Sequence, residues 1–111
     1  MKPSKPLIAI LGSTAVGKTN LSLELASRLD GEIVSADSRL LYRGMDIGTD
    51  KPSLAARARV PHHLIDVADP QEAWSMARFR QAALQAIDGI QARGRLPFLV
   101  GGTGQYLAAV L

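Results

Sequence analysis

The fold is decided by one stretch of the sequence, Leu7-Ile8-Ala9-Ile10-Leu11-Gly12-Ser13-Thr14-Ala15-Val16-Gly17-Lys18-Thr19. Its five leading apolar residues are typical of a strand that is buried on both faces of a parallel sheet. The remainder has the pattern G-x-x-x-x-G-K-[ST] and opens a helical pattern, which is the strand–loop–helix context of a phosphate-binding loop. The alternative interpretation is an ordinary glycine turn between a strand and a helix.

The residue types of this loop suit an anion. Gly12 and Gly17 permit backbone conformations in which successive amide N–H groups turn inward around a phosphate. The helix that follows adds the positive end of its dipole. Lys18 supplies a mobile positive charge, and the Thr19 hydroxyl can join the coordination shell of Mg²⁺. The predicted phosphate-binding residues are Gly12, Ser13, Thr14, Ala15, Val16, Gly17, Lys18 and Thr19.

The rest of the chain continues the alternation of strands and helices. Parallel strands are predicted at Leu7–Leu11, Glu32–Ser35 and Pro97–Val100, and helices at Thr19–Leu29 and Met76–Arg93, with Ser75 as an N-cap. Leu21, Leu25 and Leu29 form a stripe along the first helix, and the second carries the stripe Phe79, Ala83, Ala86, Ile87 and Ile90. Shorter predictions are a helical turn at 40–42, a helix from Pro52-Ser53 through Arg59, a strand at 63–66 and a helix beginning at Gln105.

These elements predict an α/β fold, in which residues 1–111 form a three-layer P-loop NTPase-like core with a mostly parallel sheet. The sequence stops in an apolar helix without a cap, so we expect a domain that is truncated at its carboxyl end. The absence of cysteine excludes a disulfide framework and thiolate metal sites. The apolar run before Gly12 is too short for a signal peptide or a membrane span, and a cytoplasmic protein is expected.

The charge balance leans basic, with a net charge of +3. Five cationic residues fall in one window that three aspartates interrupt: Arg39, Arg43, Lys51, Arg57 and Arg59. Such an excess is more typical of a solvated face than of a nucleic-acid site, and it leaves both open.

Two further stretches are predicted at the edge of the sheet where α/β proteins bind ligands. Asp37-Ser38-Arg39 follows the second strand, and its carboxylate is a candidate general base or metal ligand, or else a helix cap. Gly101-Gly102-Thr103-Gly104 follows the last strand and is a ligand-binding or a purely structural turn. His62 and His63 point opposite ways on an extended segment, which makes them a poor metal pair. Asp66 follows too short an apolar run for a Walker B acid, which favours a structural role.

In combination, these stretches closely resemble the tRNA dimethylallyltransferases. The resemblance rests on the phosphate loop, on Ser35 to Thr49 with Lys51-Pro52, on Pro61 to Asp66, on Phe79-Arg80 and on Val100 to Tyr106. The Asp37-Ser38-Arg39 and Met45-Asp46-Ile47-Gly48-Thr49 segments are absent from generic phosphate-loop kinases. Ser13 stands where the family often has proline, and Leu40 where it often has glutamine, which removes a possible amide contact to RNA.

The resemblance implies transfer of a dimethylallyl group from dimethylallyl diphosphate to N6 of an adenosine beside the tRNA anticodon. It implies catalytic roles for Asp37, Thr14 and Lys18, with Mg²⁺ on Thr19. The tRNA-binding residues that it implies are Asp37, Ser38, Arg39, Leu40 and Thr103. Family members are far longer, so we expect the 111-residue piece to be inactive alone and the full-length protein to be a monomer. The alternatives are a small-molecule or nucleotide kinase, an adenylate isopentenyltransferase, and an inert fragment that binds diphosphate.

Overall fold

Strands and helices alternate along the chain as the apolar runs and stripes predict. The computed structural model describes residues 6–11, 18–44, 52–101, 108, 110 and 111, with the backbone alone at 11, 18–20, 38 and 39. Within these residues the elements are β1 (Ile8–Leu11), α1 (Lys18–Arg28), β2 (Gly31–Ser35), α2 (Ser38–Leu41), α3 (Leu54–Arg59), β3 (His62–His63), α4 (Met76–Ala92) and β4 (Leu96–Gly101).

The described strands form one sheet in the order β1-β4-β2-β3, and every pairing in it is parallel. Leu11 at the end of β1 lies opposite Gly101 at the end of β4. Ser35 at the end of β2 lies opposite Val100. The predicted parallel α/β sheet is therefore confirmed, and β4 lies between the two strands that come first in the chain.

Helices cover both faces of this sheet. Successive residues of each strand point to opposite faces, so each strand contributes apolar side chains to both layers of the core. Val34 and Leu99 pack with the buried side of α4, at Phe79, Ala83, Ile87 and Ile90. Ile33 and Phe98 pack on the other face with Ala26 of α1 and Val60. This arrangement confirms the three layers, and it confirms the predicted α4 stripe except that Ala86 is only partly buried.

The predicted apolar stripe of α1 contacts the core only through Leu25, which is partly buried. Leu21 and Leu29 are 53% and 50% exposed, whereas Ser22 and Ala26 are buried. Residues four apart drift around a helix of 3.6 residues per turn, so the stripe leaves the contact while the neighbouring row enters it.

The turns between elements follow local chemistry. Ser53 caps α3 by accepting a hydrogen bond from Ala56 N at 3.1 Å, and Ser75 caps α4 by accepting one from Arg78 N at 3.0 Å. Gly94 lies just beyond α4 at a φ of +74°, as expected of a residue that ends a helix. Gly31 begins β2 so close to the Phe98 ring that a Cβ there would overlap with it.

Of the shorter predictions, one strand needs correction, and one helix lies mostly outside the described residues. The strand predicted at 63–66 is instead His62–His63, because Leu64 and Asp66 adopt left-handed backbone angles that end the extended conformation. Most of the helix predicted from Gln105 lies outside the described residues, although Ala108 and Val110 are helical. Val110 is buried in the α4 core, whereas Leu111 is exposed. No helix in the described parts of the chain is long and apolar enough to span a membrane.

Candidate functional site at the carboxyl edge of the sheet

The carboxyl ends of β1, β4 and β2 lie side by side at one edge of the sheet. The segments that leave this edge begin at Gly12, Gly102 and Ala36. Because adjacent strands are about 4.8 Å apart, the ends of β1 and β2 are separated by about 10 Å, with the end of β4 between them.

The structure places the predicted phosphate loop only by its two ends. Leu11 ends β1 and Lys18 begins α1, so the strand–loop–helix context is present. Lys18 and Thr19 lie in the first turn of α1, where the helix dipole is positive. Residues 12–17 lie outside the described residues, which includes Gly12, Ser13, Thr14, Ala15, Val16 and Gly17, and so does Thr103.

Asp37 lies at the predicted edge, immediately before α2. The preceding residue, Ala36, donates its N–H to Val100 O at 2.7 Å and so ties the chain to β4. The Asp37 N–H donates to Ser35 Oγ at 3.3 Å, and its carbonyl accepts a hydrogen bond from Leu40 N at 3.1 Å. The residue is half-buried and occupies the cap position of α2, which fits both a capping and a catalytic carboxylate.

The far end of α2 is anchored by residues 66–68, a segment that the sequence reasoning did not connect with the site. Leu40 O accepts a hydrogen bond from Asp66 N at 3.0 Å. Leu41 O accepts two more, from Val67 N at 3.0 Å and from Ala68 N at 3.1 Å. We call residues 66–68 the anchor segment. Ser38, Arg39 and Leu40 thus belong to a helical turn that is fixed to the sheet edge at both ends.

Asp66 does not stand in the buried strand that a Walker B acid would occupy. Its Oδ2 accepts a hydrogen bond from Arg57 Nη1 of α3 at 3.1 Å, and the two side chains are 30% and 26% exposed. Its φ of +57° is left-handed, which aspartate tolerates better than most residues. The structural role predicted for Asp66 fits this placement.

The basic window is largely paired with carboxylates. Arg43 lies 2.9 Å from Asp69, and Arg59 lies 3.5 Å from Glu24. With Arg57 on Asp66, each of these three guanidinium groups has an acidic partner. Lys51 lies outside the described residues, and Arg39 is described by its backbone alone. The pairing favours a solvated face for the three described side chains over a free cationic patch.

The two histidines take separate partners, as predicted from the extended backbone. His62 Nδ1 donates to Val60 O at 2.6 Å, and burial lowers the pKa of His62, with the Arg57 charge adding to the effect against the opposing hydrogen bond. His63 Nε2 donates to Glu32 Oε1 at 2.7 Å. Within the part of the chain that the structure describes, no three potential ligands cluster as a metal site would require.

Glu32 lies at the opposite, amino edge of the sheet, in a cluster that the sequence reasoning missed. Its buried carboxylate accepts the hydrogen bond from His63 and two more from Arg93, from Nη2 to Oε1 at 2.6 Å and from Nε to Oε2 at 3.2 Å. Arg95 Nε lies 3.2 Å from Oε2 without hydrogen-bond geometry. Burial raises the pKa of Glu32, but the Arg93 and His63 hydrogen bonds outweigh it and the pKa is lowered. The sequence feature that could have indicated this cluster is the acidic residue Glu32 inside an otherwise apolar strand. These four residues are the amino-edge cluster.

The fold and the site together define a class of protein. It is an α/β protein with a parallel sheet, in which a G-x-x-x-x-G-K-T loop and an acidic segment leave the same carboxyl edge. Residues 40–111 match the family described as IPP transferase. This match covers more than half of the sequence, and the chain belongs to that family.

Known relatives agree with this assignment. The chain is 70% identical over 106 residues to a tRNA dimethylallyltransferase of Roseiflexus sp., an alignment that covers 96% of this chain and 35% of the relative. A solved full-length tRNA isopentenylpyrophosphate transferase of Bacillus halodurans superimposes with a TM-score of 0.91 at 56% identity, over 96% of this chain and 35% of that one. A eukaryotic dimethylallyltransferase acting on tRNA gives 0.89 at 40% identity, over 96% and 26%. The chain therefore spans about a third of the length of these bacterial relatives.

Proposed function

We propose that this chain is part of an enzyme that transfers the dimethylallyl group from dimethylallyl diphosphate to N6 of an adenosine beside the tRNA anticodon. The observation that carries the proposal is the juxtaposition of a phosphate-loop motif and Asp37 at one edge of a parallel sheet. Its relatives' names and the family match support the same activity. We refer below to a protein of the relatives' length that carries this sequence as the full-length enzyme.

The donor half of the site is assigned to the phosphate loop. The leaving group is a diphosphate, which gains negative charge as the allylic C–O bond breaks. Lys18 and the backbone N–H groups of Gly12 to Thr19 are assigned to neutralise that charge, and Thr14 is assigned to the same catalytic loop. A Thr19 hydroxyl together with diphosphate oxygens makes the hard oxygen donor set that Mg²⁺ prefers, and a bound Mg²⁺ would further stabilise the leaving diphosphate.

The acceptor half is assigned to the segment Asp37–Leu40 and to Thr103, which we call the acceptor segment and the acceptor turn. The exocyclic amine of adenine is a poor nucleophile until its proton has a destination, and Asp37 accepts that proton as the new C–N bond forms. The base leaves its stack to reach the site, as it does for other enzymes that modify bases. Arg39 and Thr103 hold the extruded nucleotide and its phosphates, with Ser38 beside them.

The test uses the full-length enzyme with labelled dimethylallyl diphosphate and, in parallel, tRNA or AMP. Label in tRNA alone is the expected result. Label in AMP would instead identify an adenylate isopentenyltransferase, and transfer of phosphate from ATP to a small acceptor would identify a kinase. The 111-residue chain, assayed beside it, is expected to give no turnover, because misplacement by about 1 Å already costs on the order of 10²-fold. Rapid turnover by the short chain would contradict this.

A further inference from the structure

The acceptor segment is held at both ends by hydrogen bonds of its backbone, and the donors at its far end lie elsewhere in the sequence. Its first residue is tied to β2 and β4 through Ser35 Oγ and the preceding Ala36 N–H. Its last residue, Leu40, offers its carbonyl to Asp66 N at 3.0 Å. The position of the acceptor segment therefore depends on the positions of the N–H groups of the anchor segment.

The anchor segment itself follows a tight, unusual turn. Leu64 and Asp66 have φ values of +66° and +57°, in the left-handed region that a bulky leucine seldom adopts. Residues in such conformations persist only where the surrounding structure over-determines them. Leu64 is buried in the core, which fixes one side of the turn. At the other side of the turn, the carboxylate of Asp66 is the group that a neighbouring element contacts.

Arg57 of α3 meets that carboxylate at 3.1 Å. Both side chains are about one-quarter to one-third exposed, so solvent screens the pair less than it screens a fully exposed pair. The carboxylate and the N–H that holds Leu40 belong to the same residue. Fixing the side chain of Asp66 therefore also fixes the orientation of the donor that sets the end of α2.

We propose that Arg57 and Asp66 are positioning residues for the acceptor segment, and that their ion pair sets how the enzyme presents Asp37–Leu40 to the tRNA. The inference rests on the proposed function, because that function assigns the segment to the acceptor. Neither side chain needs to touch substrate for this role. The donor half of the site, on the other side of β4, is independent of the pair.

The principal variant is Asp66→Asn in the full-length enzyme, because asparagine keeps the size and the tolerance for a left-handed backbone but loses the charge. We expect kcat/KM for tRNA to fall about tenfold, since loosening the segment costs less than the roughly 10²-fold of a full misplacement. KM for dimethylallyl diphosphate should not change. Arg57→Gln should cause the same loss, the double variant no further loss, and Arg57→Lys should retain most of the wild-type rate.

Arg59→Gln is the matched control, because Arg59 lies on the same helix but pairs with the exposed Glu24. It should leave the kinetics unchanged. If Arg57 instead contacted RNA directly, Asp66→Asn would free it and tRNA use would hold or improve while Arg57→Gln lost activity. That outcome would overturn the proposal, as would a lower melting temperature with unaltered kinetics in both variants.

Amide hydrogen exchange separates this inference from the proposed function. In Asp66→Asn the amides of residues 66–68 should exchange faster than in wild type, whichever substrate the enzyme uses. A wild-type enzyme that fails to modify tRNA would refute the proposed function, whereas the exchange result would still show whether the Arg57–Asp66 ion pair fixes the anchor segment. Unchanged exchange together with unchanged tRNA kinetics would refute the positioning role of Arg57 and Asp66 alone.

Discussion

At the amino edge of the sheet the Glu32 carboxylate is buried against His63, Arg93 and Arg95, whereas at the carboxyl edge Asp37 is half-buried at the start of a short helix. The amino-edge cluster holds its carboxylate with side chains from β3 and from the turn between α4 and β4. At the carboxyl edge, backbone groups around Asp37 and α2 form hydrogen bonds with Val100, with the Ser35 hydroxyl and with the anchor segment. The carboxylate at one edge is therefore enclosed by cationic and imidazole side chains, whereas the segment at the other edge is positioned through its backbone.

The largest effect is expected from Asp37→Asn, because asparagine keeps the size and an acceptor oxygen of the side chain but cannot take a proton. In the full-length enzyme we expect the single-turnover rate to fall by about 10²–10⁴-fold with binding of tRNA and donor little changed. A carboxylate that only caps α2 predicts instead a stability loss of about 1 kcal/mol and near-normal chemistry. Single-turnover rate and melting temperature, measured on the same variant, separate the two roles.

The next largest effect is expected from Lys18→Ala. Loss of the main cation of the phosphate loop should reduce kcat/KM for dimethylallyl diphosphate by about 10²–10³-fold, as removal of one charge-stabilising donor does elsewhere. Arg28→Ala, at the other end of α1 and paired with the exposed Glu24, is the control and should behave as wild type. A Lys18→Ala enzyme with unaltered donor kinetics would remove the loop from the mechanism.

Much of the fold could be predicted because local patterns dictate it. Continuous apolar runs need helices on both faces, and this requirement predicted the parallel sheet at Leu7–Leu11 and Pro97–Val100 that the structure confirms. Of the predicted α1 stripe, Leu25 packs against the core while Leu21 and Leu29 are exposed, and the small residues Ser22 and Ala26 are buried instead. Periodicity shows where apolar residues recur, but close approach depends on side-chain volume.

The candidate site could be predicted only where its residues follow a strand directly. Asp37 lies at the edge where the rule for parallel sheets places it, although the assignment of β4 between β1 and β2 needed the structure. The contact between the anchor segment and α2 joins residues about 26 positions apart through backbone atoms, as Leu40 and Asp66 do. Backbone hydrogen bonds leave no mark in residue type, and so no motif announced them.

A smaller effect, on stability, is expected from Glu32→Gln, which tests whether the amino-edge cluster stabilises the fold. Glutamine keeps an acceptor oxygen but turns an N–H toward the arginines and leaves Arg93 without its counter-charge. Because the Arg93 side chain is half-exposed and can rehydrate, we expect a loss of about 2 kcal/mol in the free energy of unfolding, below the usual cost of breaking a fully buried pair. Denaturant unfolding measures it. Activity of the folded variant should be normal, and lost activity would place the cluster in the catalytic machinery.

The smallest effect concerns the pH dependence of the same carboxylate. The pKa of Glu32 is lowered in the folded protein from the ordinary value of 4.5, because the Arg93 and His63 hydrogen bonds outweigh the burial that raises it. Below pH 4.5 the unfolded chain therefore binds more protons than the folded one. The stabilisation by Glu32 is present above that pH and is lost as the pH falls through the lowered pKa. The difference in unfolding free energy between wild type and Glu32→Gln should accordingly narrow in acid, while the exposed Glu24 and Glu72, whose pKa values are also lowered, act equally in both proteins. A difference that stays constant from neutral pH down to the most acidic pH at which both proteins still fold would mean that Glu32 contributes through packing and not through its charge.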